Sequence, residues 1–342
     1  MIKVFRKIRQ KMLTENKISK YLLYAIGEIL LVMIGILIAI QINNSNELKK
    51  QQGEEEILLS GIKEDFIATR SNLLQTIKGQ EMILLRCRDL IDAIETKDYS
   101  MHPDSICVKM VFGAFVTSQE IALMGSYDAL IGSGKTSIIQ NQELLNVLAD
   151  FSSKYKTGFV DQIKSENLFN LMISTTKDFF PALKDIGMRR SLDLKKRYTL
   201  HEKEIAMKQL YQNQSFLTYL LEKTKWEGFR LIYLKKLLRS LNKVLYEFNF
   251  NELTPEKELY KNYIGTYANK TNDLIKISYA EEHLMVQMPN GNKWDLVQIN
   301  KSLFHVIKWS GKLDFSTDGD SPNTLLIQFN DRDLVEFHRV NN

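Results

Sequence analysis

Markers of chemistry are scarce in this chain. Of 342 residues only two are cysteine and five are histidine. None falls into His-Glu-x-x-His or paired-cysteine spacing, so no metal site and no cofactor are expected. Internal repeats and low-complexity tracts are missing too, which argues against a repeat array or a disordered tether. Beyond residue 42 there is no second run long and apolar enough to cross a membrane. The positive charge is local: the formal net is +5, while residues 1–20 alone carry seven cations (Lys3, Arg6, Lys7, Arg9, Lys11, Lys17, Lys20) against Glu15. The rest of the chain is therefore nearly neutral, and nucleic acid is not expected as a partner.

What is present begins with Tyr21–Ile42, YLLYAIGEILLVMIGILIAIQI. As a helix this run is about 33 Å long, enough for a hydrocarbon core of ~30 Å. A cleaved secretory signal would have a shorter apolar core and a small-residue cleavage site; here Ala39-Ile40-Gln41 runs straight into Ile42-Asn43-Asn44. The reading is an uncleaved anchor in the lipid bilayer, with residues 1–20 as a basic cytoplasmic tail and the remainder outside. Glu28 inside the span is either a protonated or snorkelling side chain near Lys20 or a contact with a second helix. Gly35-x-x-x-Ala39, with Gly27 two turns earlier and Glu28 one heptad before Gly35, outlines a face through which homo-oligomers could form.

Residues 46–250 read as an extracytoplasmic helical bundle. From Leu59 the apolar positions Ile62, Phe66, Leu73, Ile77, Leu84, Cys87, Ile91 and Ile94 recur mostly at spacings of three and four. Thr117-Ser118-Gln119-Glu120 has the form of a capping box opening a helix over 119–130, Gly132-Ser133-Gly134 breaks the chain, and Asn141 is placed to cap the next helix. Helical tracts follow near 158–190 and 214–248. Residues 182–245 hold 15 Lys/Arg and 6 Asp/Glu. That excess reads as a solvated face answering acidic helices, or as a docking face for anionic headgroups or an acidic partner.

Near Thr254-Pro255 the period changes. Tyr263–Ala268, Leu274–Tyr279, His283–Met288, Lys293–Ile299, Leu303–Lys308, Leu313–Ser316, Thr324–Phe329 and Leu334–Val340 are short runs rich in β-branched and aromatic residues. They are separated by turn signals at 290–292, 310–312, 318–320 and 330–332. The fold class is thus α plus β: a transmembrane helix (21–42), an antiparallel helical bundle (46–250) and a small antiparallel β-barrel or sandwich (256–342). The linker around Thr254-Pro255 suggests that 256–342 fold independently, with the bundle as spacer.

Two stretches resemble known families. KVFRKIRQKMLTENKISKYLLYAIGEILLVMIGILIAIQINNSNE, with Leu130-Ile131, Ser133-Gly134-Lys135 and Ile139-x-Asn141-x-Glu143-Leu144, resembles a domain-of-unknown-function family of single-pass bacterial membrane proteins over residues 1–160. Ser45 departs from the interfacial Trp usual there. The resemblance implies a bacterial envelope location and brings no activity; with the orientation read from the basic flank, the expectation is the inner membrane, with a cytoplasmic N-terminus and a periplasmic bulk. Tyr260-x-x-Tyr263-Ile264-Gly265-Thr266-Tyr267 followed by His283-Leu284-Met285-Val286 resembles the small β-domain behind serine β-lactamase-like hydrolases.

Motif look-alikes carry little. Ala129–Thr136 matches a relaxed phosphate-loop pattern but follows a helical tract, not a buried strand. Ser60-Gly-Ile-Lys63, Tyr211-Gln-Asn213 and Lys135-Thr136-Ser137 echo serine-hydrolase motifs in the wrong chain order. Cys87 and Cys107 bracket the Pro103 loop: they are either two buried thiols or, outside the cytoplasm, a bridge contributing ~3 kcal/mol. The expectation is a non-enzymatic, membrane-anchored envelope protein that presents its bundle and β-module to a protein partner. The alternative is a small-ligand sensor whose β-domain binds through Tyr263, Tyr267, Trp294, Phe304 and Trp309. An enzyme, hydrolytic or nucleotide-binding, comes third.

Overall fold

The computed structural model describes residues 18–118, 121–185, 188–254, 262–280, 283–315, 323–329 and 334–340. The basic tail, most of the Thr254-Pro255 linker and the turns expected at 318–320 and 330–332 lie outside the described residues. The chain divides into two compact units, Met1–Gly61 with Leu130–Gln140, and Ile62–Ala129 with Asn141–Asn342.

In the first unit the dominant element is the beginning of helix α1, which as a whole runs Ile18–Thr96. Its large apolar side chains between Leu22 and Ile42 are exposed, Leu23 by 78% and Leu31 by 72%. A buried Leu or Ile gains about 1.5–3 kcal/mol over an exposed one, so so long a bare run is strongly unfavourable in water. The described residues include one helix long and apolar enough to cross a membrane, and this is it. The unit also holds a short 3₁₀ turn, Lys135–Ile138, entered through Gly134 at φ 69°. There Lys135 pairs with Glu54 at 3.2 Å, and the Gln140 N–H donates to the Glu55 carboxylate at 2.7 Å.

The second unit contains the helical core and the β-barrel together. From Ile62 onward α1 buries Ile62, Phe66, Leu73, Ile77, Cys87, Leu90 and Ile94, as its period requires. Helix α2 (Pro103–Lys109) continues into a π turn, Met110–Ala114. The segment expected to be helical from 119 is not helical over its described residues 121–124. Instead the Leu123 N–H donates to Thr69 Oγ1 at 2.8 Å, and the Ala122 N–H to the Tyr155 hydroxyl. Helix α3 starts only at Gly125 (Gly125–Gly132), where Asp65 accepts from the Ser126 N–H at 2.8 Å. The Ser118 hydroxyl donates to Gln80 rather than capping a helix.

Helix α4 (Gln142–Thr157) is capped by Asn141, which accepts from the Leu144 N–H as its sequence position predicts. The tract near 158–190 splits into α5 (Gln162–Thr176), α6 (Phe180–Leu183, with Pro181 at its first turn) and α7 (Met188–Ser191). Thr199 and Glu202 form a reciprocal capping box that opens α8 (Leu200–Gln212). The 34-residue α9 (Gln214–Glu247) packs against α4 and α5. Hydrogen bonds from Gln80 to Glu227 and from Arg70 to Asn242 fix α9 antiparallel to α1.

All eight expected strands form: β1 Gly265–Ala268, β2 Leu274–Ala280, β3 His283–Gln287, β4 Lys293–Gln298, β5 Leu303–Val306, β6 Gly311–Asp314, β7 Thr324–Phe329 and β8 Leu334–Arg339. They pair as an antiparallel meander closed by β8 on β1, with Ala268 opposite His338. Closure removes exposed strand edges. Alternation sends Ile275, Ile277, Leu284, Val286, Leu325 and Ile327 inward. At Gly291, φ is 83° in the β3–β4 turn, a conformation that glycine adopts freely. Gly311 serves another need: a Cβ there would fall inside the Trp309 indole ring.

Candidate functional site

The interior of the barrel is packed with side chains, many of them aromatic. Tyr263 stacks on Phe315 with ring centroids 4.3 Å apart, and Phe304 meets Phe315 edge-on at 5.6 Å. The Tyr263 hydroxyl donates to the Lys301 carbonyl, and the Tyr267 hydroxyl to the Tyr263 carbonyl. Of the five aromatics expected to form a binding face, Tyr263, Tyr267 and Phe304 are buried core. Trp294 and Trp309 pack on each other at 5.6 Å against that core. A small eight-stranded barrel has room for little else. A cleft of about 250 Å³ lies elsewhere, lined by Tyr246, Asn249, Phe250, Leu253, Thr254 and Lys301.

Several charged side chains are buried in the protein interior. On α9 the core-facing sequence Phe216, Leu220, Lys223, Glu227, Arg230, Leu234, Leu238, Leu241, Leu245 keeps the spacing of an apolar stripe, yet three of its members are charged. Lys223 and Glu227 are fully buried and Arg230 is 1% exposed. Glu227 accepts from Lys223 Nζ at 2.7 Å, Arg230 Nε at 3.2 Å, the Ser165 hydroxyl at 2.5 Å and Gln80 Nε2 at 2.8 Å. Burial alone would push its pKa up; the Lys223 charge and these hydrogen bonds outweigh it and hold the carboxyl below its ordinary range. Lys223 also donates to the Val116 carbonyl, and Arg230 to the Ser118 carbonyl and to Gln162. The Arg230 guanidinium lies 4.7 Å from the Phe159 ring centroid. Every charge in this lattice has partners, as burial demands.

A second set joins the helices to the barrel. Lys235, fully buried, reaches Glu81 at 2.9 Å and donates to the carbonyls of Val306 at 3.1 Å and Trp309 at 2.9 Å. His305 is 4% exposed, with Nδ1 3.5 Å from Glu81. Burial, then the charges of Lys235 and Lys312, drive its pKa well below the usual value, so the imidazole is neutral at pH 7. Arg70 donates to Asn242, Glu252 and the Ile299 carbonyl, while Asn242 donates to the Gln298 carbonyl at 2.8 Å. Arg239 donates to the Leu296 carbonyl and to Asp295. β4, β5 and the loops beside them thus complete the hydrogen bonding of α1 and α9, and the barrel lies in one compact unit with this part of the helical core.

The phosphate-loop and serine-hydrolase look-alikes fall in separate places in the fold. Gly132-Ser133-Gly134-Lys135 joins a helix to a 3₁₀ turn, and Lys135 is engaged by Glu54. Ser60 is an exposed position of α1, and Tyr211 is buried with its hydroxyl on the Asp98 carbonyl. Among the described residues no group of three or more His, Cys, Asp or Glu is placed to hold a metal ion. Gly27, Glu28, Gly35 and Ala39 are all exposed on α1, and a Cβ at Gly27 or Gly35 would meet nothing within 4 Å.

Cys87 and Cys107 are free, buried thiols rather than the bridge that an even pair invites. Burial raises the Cys87 pKa to about 11 against the opposing pull of Lys223, and the Cys107 pKa to about 12 against that of Lys203. Thiolate is the reactive form, so both are inert in the fold. Both are expected to resist maleimide in the native protein and to label fully once it is denatured without reductant. Labelling that requires reductant would establish the bridge instead.

Residues 28–185 match the model of a family described as Family of unknown function (DUF6090). No curated protein and no solved structure matches the chain.

Proposed function

We propose that this is a non-enzymatic, single-pass protein of the bacterial inner membrane, with a cytoplasmic N-terminus and a periplasmic helix-and-barrel unit that serves as an interaction module. The observation carrying the proposal is the bare apolar stretch of α1 between Leu22 and Ile42, preceded in the chain by six net positive charges. That order of charge and apolar helix is the one retained with its basic end in the cytoplasm. A packed barrel core and the mutually paired Lys223, Glu227 and Arg230 support a structural role for the remainder. The uncovered face of Gly27, Gly35 and Ala39, with Glu28 beside it, supports self-association in the bilayer.

The test combines extraction and topology. The full chain should stay in the membrane fraction through an alkaline carbonate wash, and a reporter active only outside the cytoplasm should be active when fused after Asn342. Activity there of a cytoplasm-only reporter would overturn the orientation; release by carbonate would overturn the anchor. Crosslinking in native membranes should capture an envelope protein or a second copy, and self-crosslinking should fall when Gly35→Leu crowds the helix face.

A further inference from the structure

His305 sits on the outer face of the barrel, on β5, where alternation turns it away from Phe304 in the barrel core. Its partners across the sheet are Val297 on β4 and Lys312 on β6. The helical core covers this face, and His305 and Val297 are both buried. Four titratable groups from four elements meet in the seam: Glu81 from α1, Lys235 from α9, Lys312 from β6 and His305 itself. A further charged pair across it, Arg239 of α9 and Asp295 of β4, stands at 3.4 Å.

One carboxylate serves the four. Glu81 Oε1 lies 2.9 Å from Lys235 Nζ and 3.5 Å from His305 Nδ1, and Glu81 Oε2 lies 4.0 Å from Lys312 Nζ. His305 Nδ1 has no hydrogen-bond partner among the described residues. Two ammonium groups already face one carboxylate, so a proton on His305 adds a third cation to a buried site. Lys235 is committed elsewhere as well, because its donation to the Val306 and Trp309 carbonyls ties the β5–β6 connection to α9. An imidazolium here has two ways to be satisfied. It takes the carboxylate from Lys235, which frees the ammonium that holds those carbonyls, or it moves to solvent, which lifts β5 from α1 and α9. Both part the same seam. The Glu227 lattice elsewhere on α9 differs: its carboxylate accepts from Lys223, Arg230, Ser165 and Gln80, none of which gains a proton in mild acid.

We propose that His305 makes the seam between helical core and barrel an acid-released clasp, its protonation parting β5 and the β5–β6 connection from α1 and α9 while the Glu227 lattice stays shut. Burial and the charges of Lys235 and Lys312 keep the imidazole of the closed form neutral well below 6.5. The open form therefore takes the proton first, and the seam weakens as pH falls below that value. Glu227, held below 4.5, adds its own loss only in stronger acid. The device goes beyond the interaction role proposed above and needs neither ligand nor partner.

Distances test it in the full chain in detergent. Spin labels at K236C on α9 and K276C on β2, both exposed positions, report helix against barrel; K208C with K236C reports the helical core alone. Cys87 and Cys107 are buried and stay unlabelled. Pulsed dipolar spectroscopy at neutral pH should give one narrow distance for each pair. Between pH 6.5 and 4.5 the helix-to-barrel distance should lengthen and broaden reversibly, while the core pair stays narrow. In H305Q and in H305N, each checked for the wild-type distance at neutral pH, the acid midpoint should fall by about one pH unit or more. A helix-to-barrel distance unchanged down to pH 4.5 overturns the proposal, as does an unshifted midpoint in the histidine variants. Broadening of both pairs together also overturns it, because the chain then unfolds in acid instead of opening at a joint.

Discussion

Glu227→Ala is expected to lower the unfolding free energy by about 3–5 kcal/mol, the cost of leaving buried charge uncompensated. The carboxylate stands between Lys223 and Arg230, both inside the core, and Ser165 and Gln80 point donors at it as well. Removing it strands two cations and two neutral donors at once. Chemical denaturation in detergent, followed by circular dichroism, measures the loss. A change below about 1 kcal/mol would mean that water enters the site and that the lattice is not dry. The same carboxyl gives an acid sensitivity of defined sign. Its pKa in the fold lies below the ordinary 4.5, so its contribution is complete above pH 4.5 and is lost as pH falls through the folded value. His305 acts in the same direction from a higher starting point. Its folded pKa is far below 6.5, so the unfolded chain binds the proton first and stability declines as pH drops below 6.5.

Lys235→Ala is the second large effect, again about 3–5 kcal/mol. This ammonium is the meeting point of three elements: Glu81 on α1, its own α9, and the Val306 and Trp309 carbonyls of the barrel. Without it Glu81 keeps only a neutral imidazole and the more exposed Lys312 at 4.0 Å, and two carbonyls lose their donor. Combining Lys235→Met with Glu81→Gln should recover part of the loss, because the stranded charge goes while the methylene packing stays. Purely additive losses would show that the ion pair is not what fastens helix to barrel.

Much of the architecture was legible from periodicity. Alternation and turn residues located all eight strands, since a meander of short hairpins is specified locally by residues such as Asn290-Gly291. The apolar spacing of α1 and the Asn141 cap were equally local. The 119–130 tract is helical from Gly125 but was misread over 121–124, because a capping-box pattern describes only what a helix start could use. The competing acceptors, Thr69 and Gln80, come from a distant part of the chain. The charged lattice was readable in principle: Lys223, Glu227 and Arg230 occupy stripe positions between Leu220 and Leu234, where an exposed charge would break the period. Counting the basic excess of 182–245 as one solvated face hid it, because composition does not distinguish a buried cation from a surface one. The tie between barrel and helices was illegible, since much of it is side chains reaching backbone carbonyls, which carry no residue signature.

The central claim is that the helical core and the barrel are one cooperative body fastened by buried charge. Hydrogen exchange of the full chain in detergent, under conditions where refolding is slower than exchange, tests it directly. Peptides from α9 and from β2–β7 should become deuterated together, in a single correlated event with one rate. If the barrel peptides exchange in a separate event while α9 stays protected, the two parts fold independently and this account is contradicted.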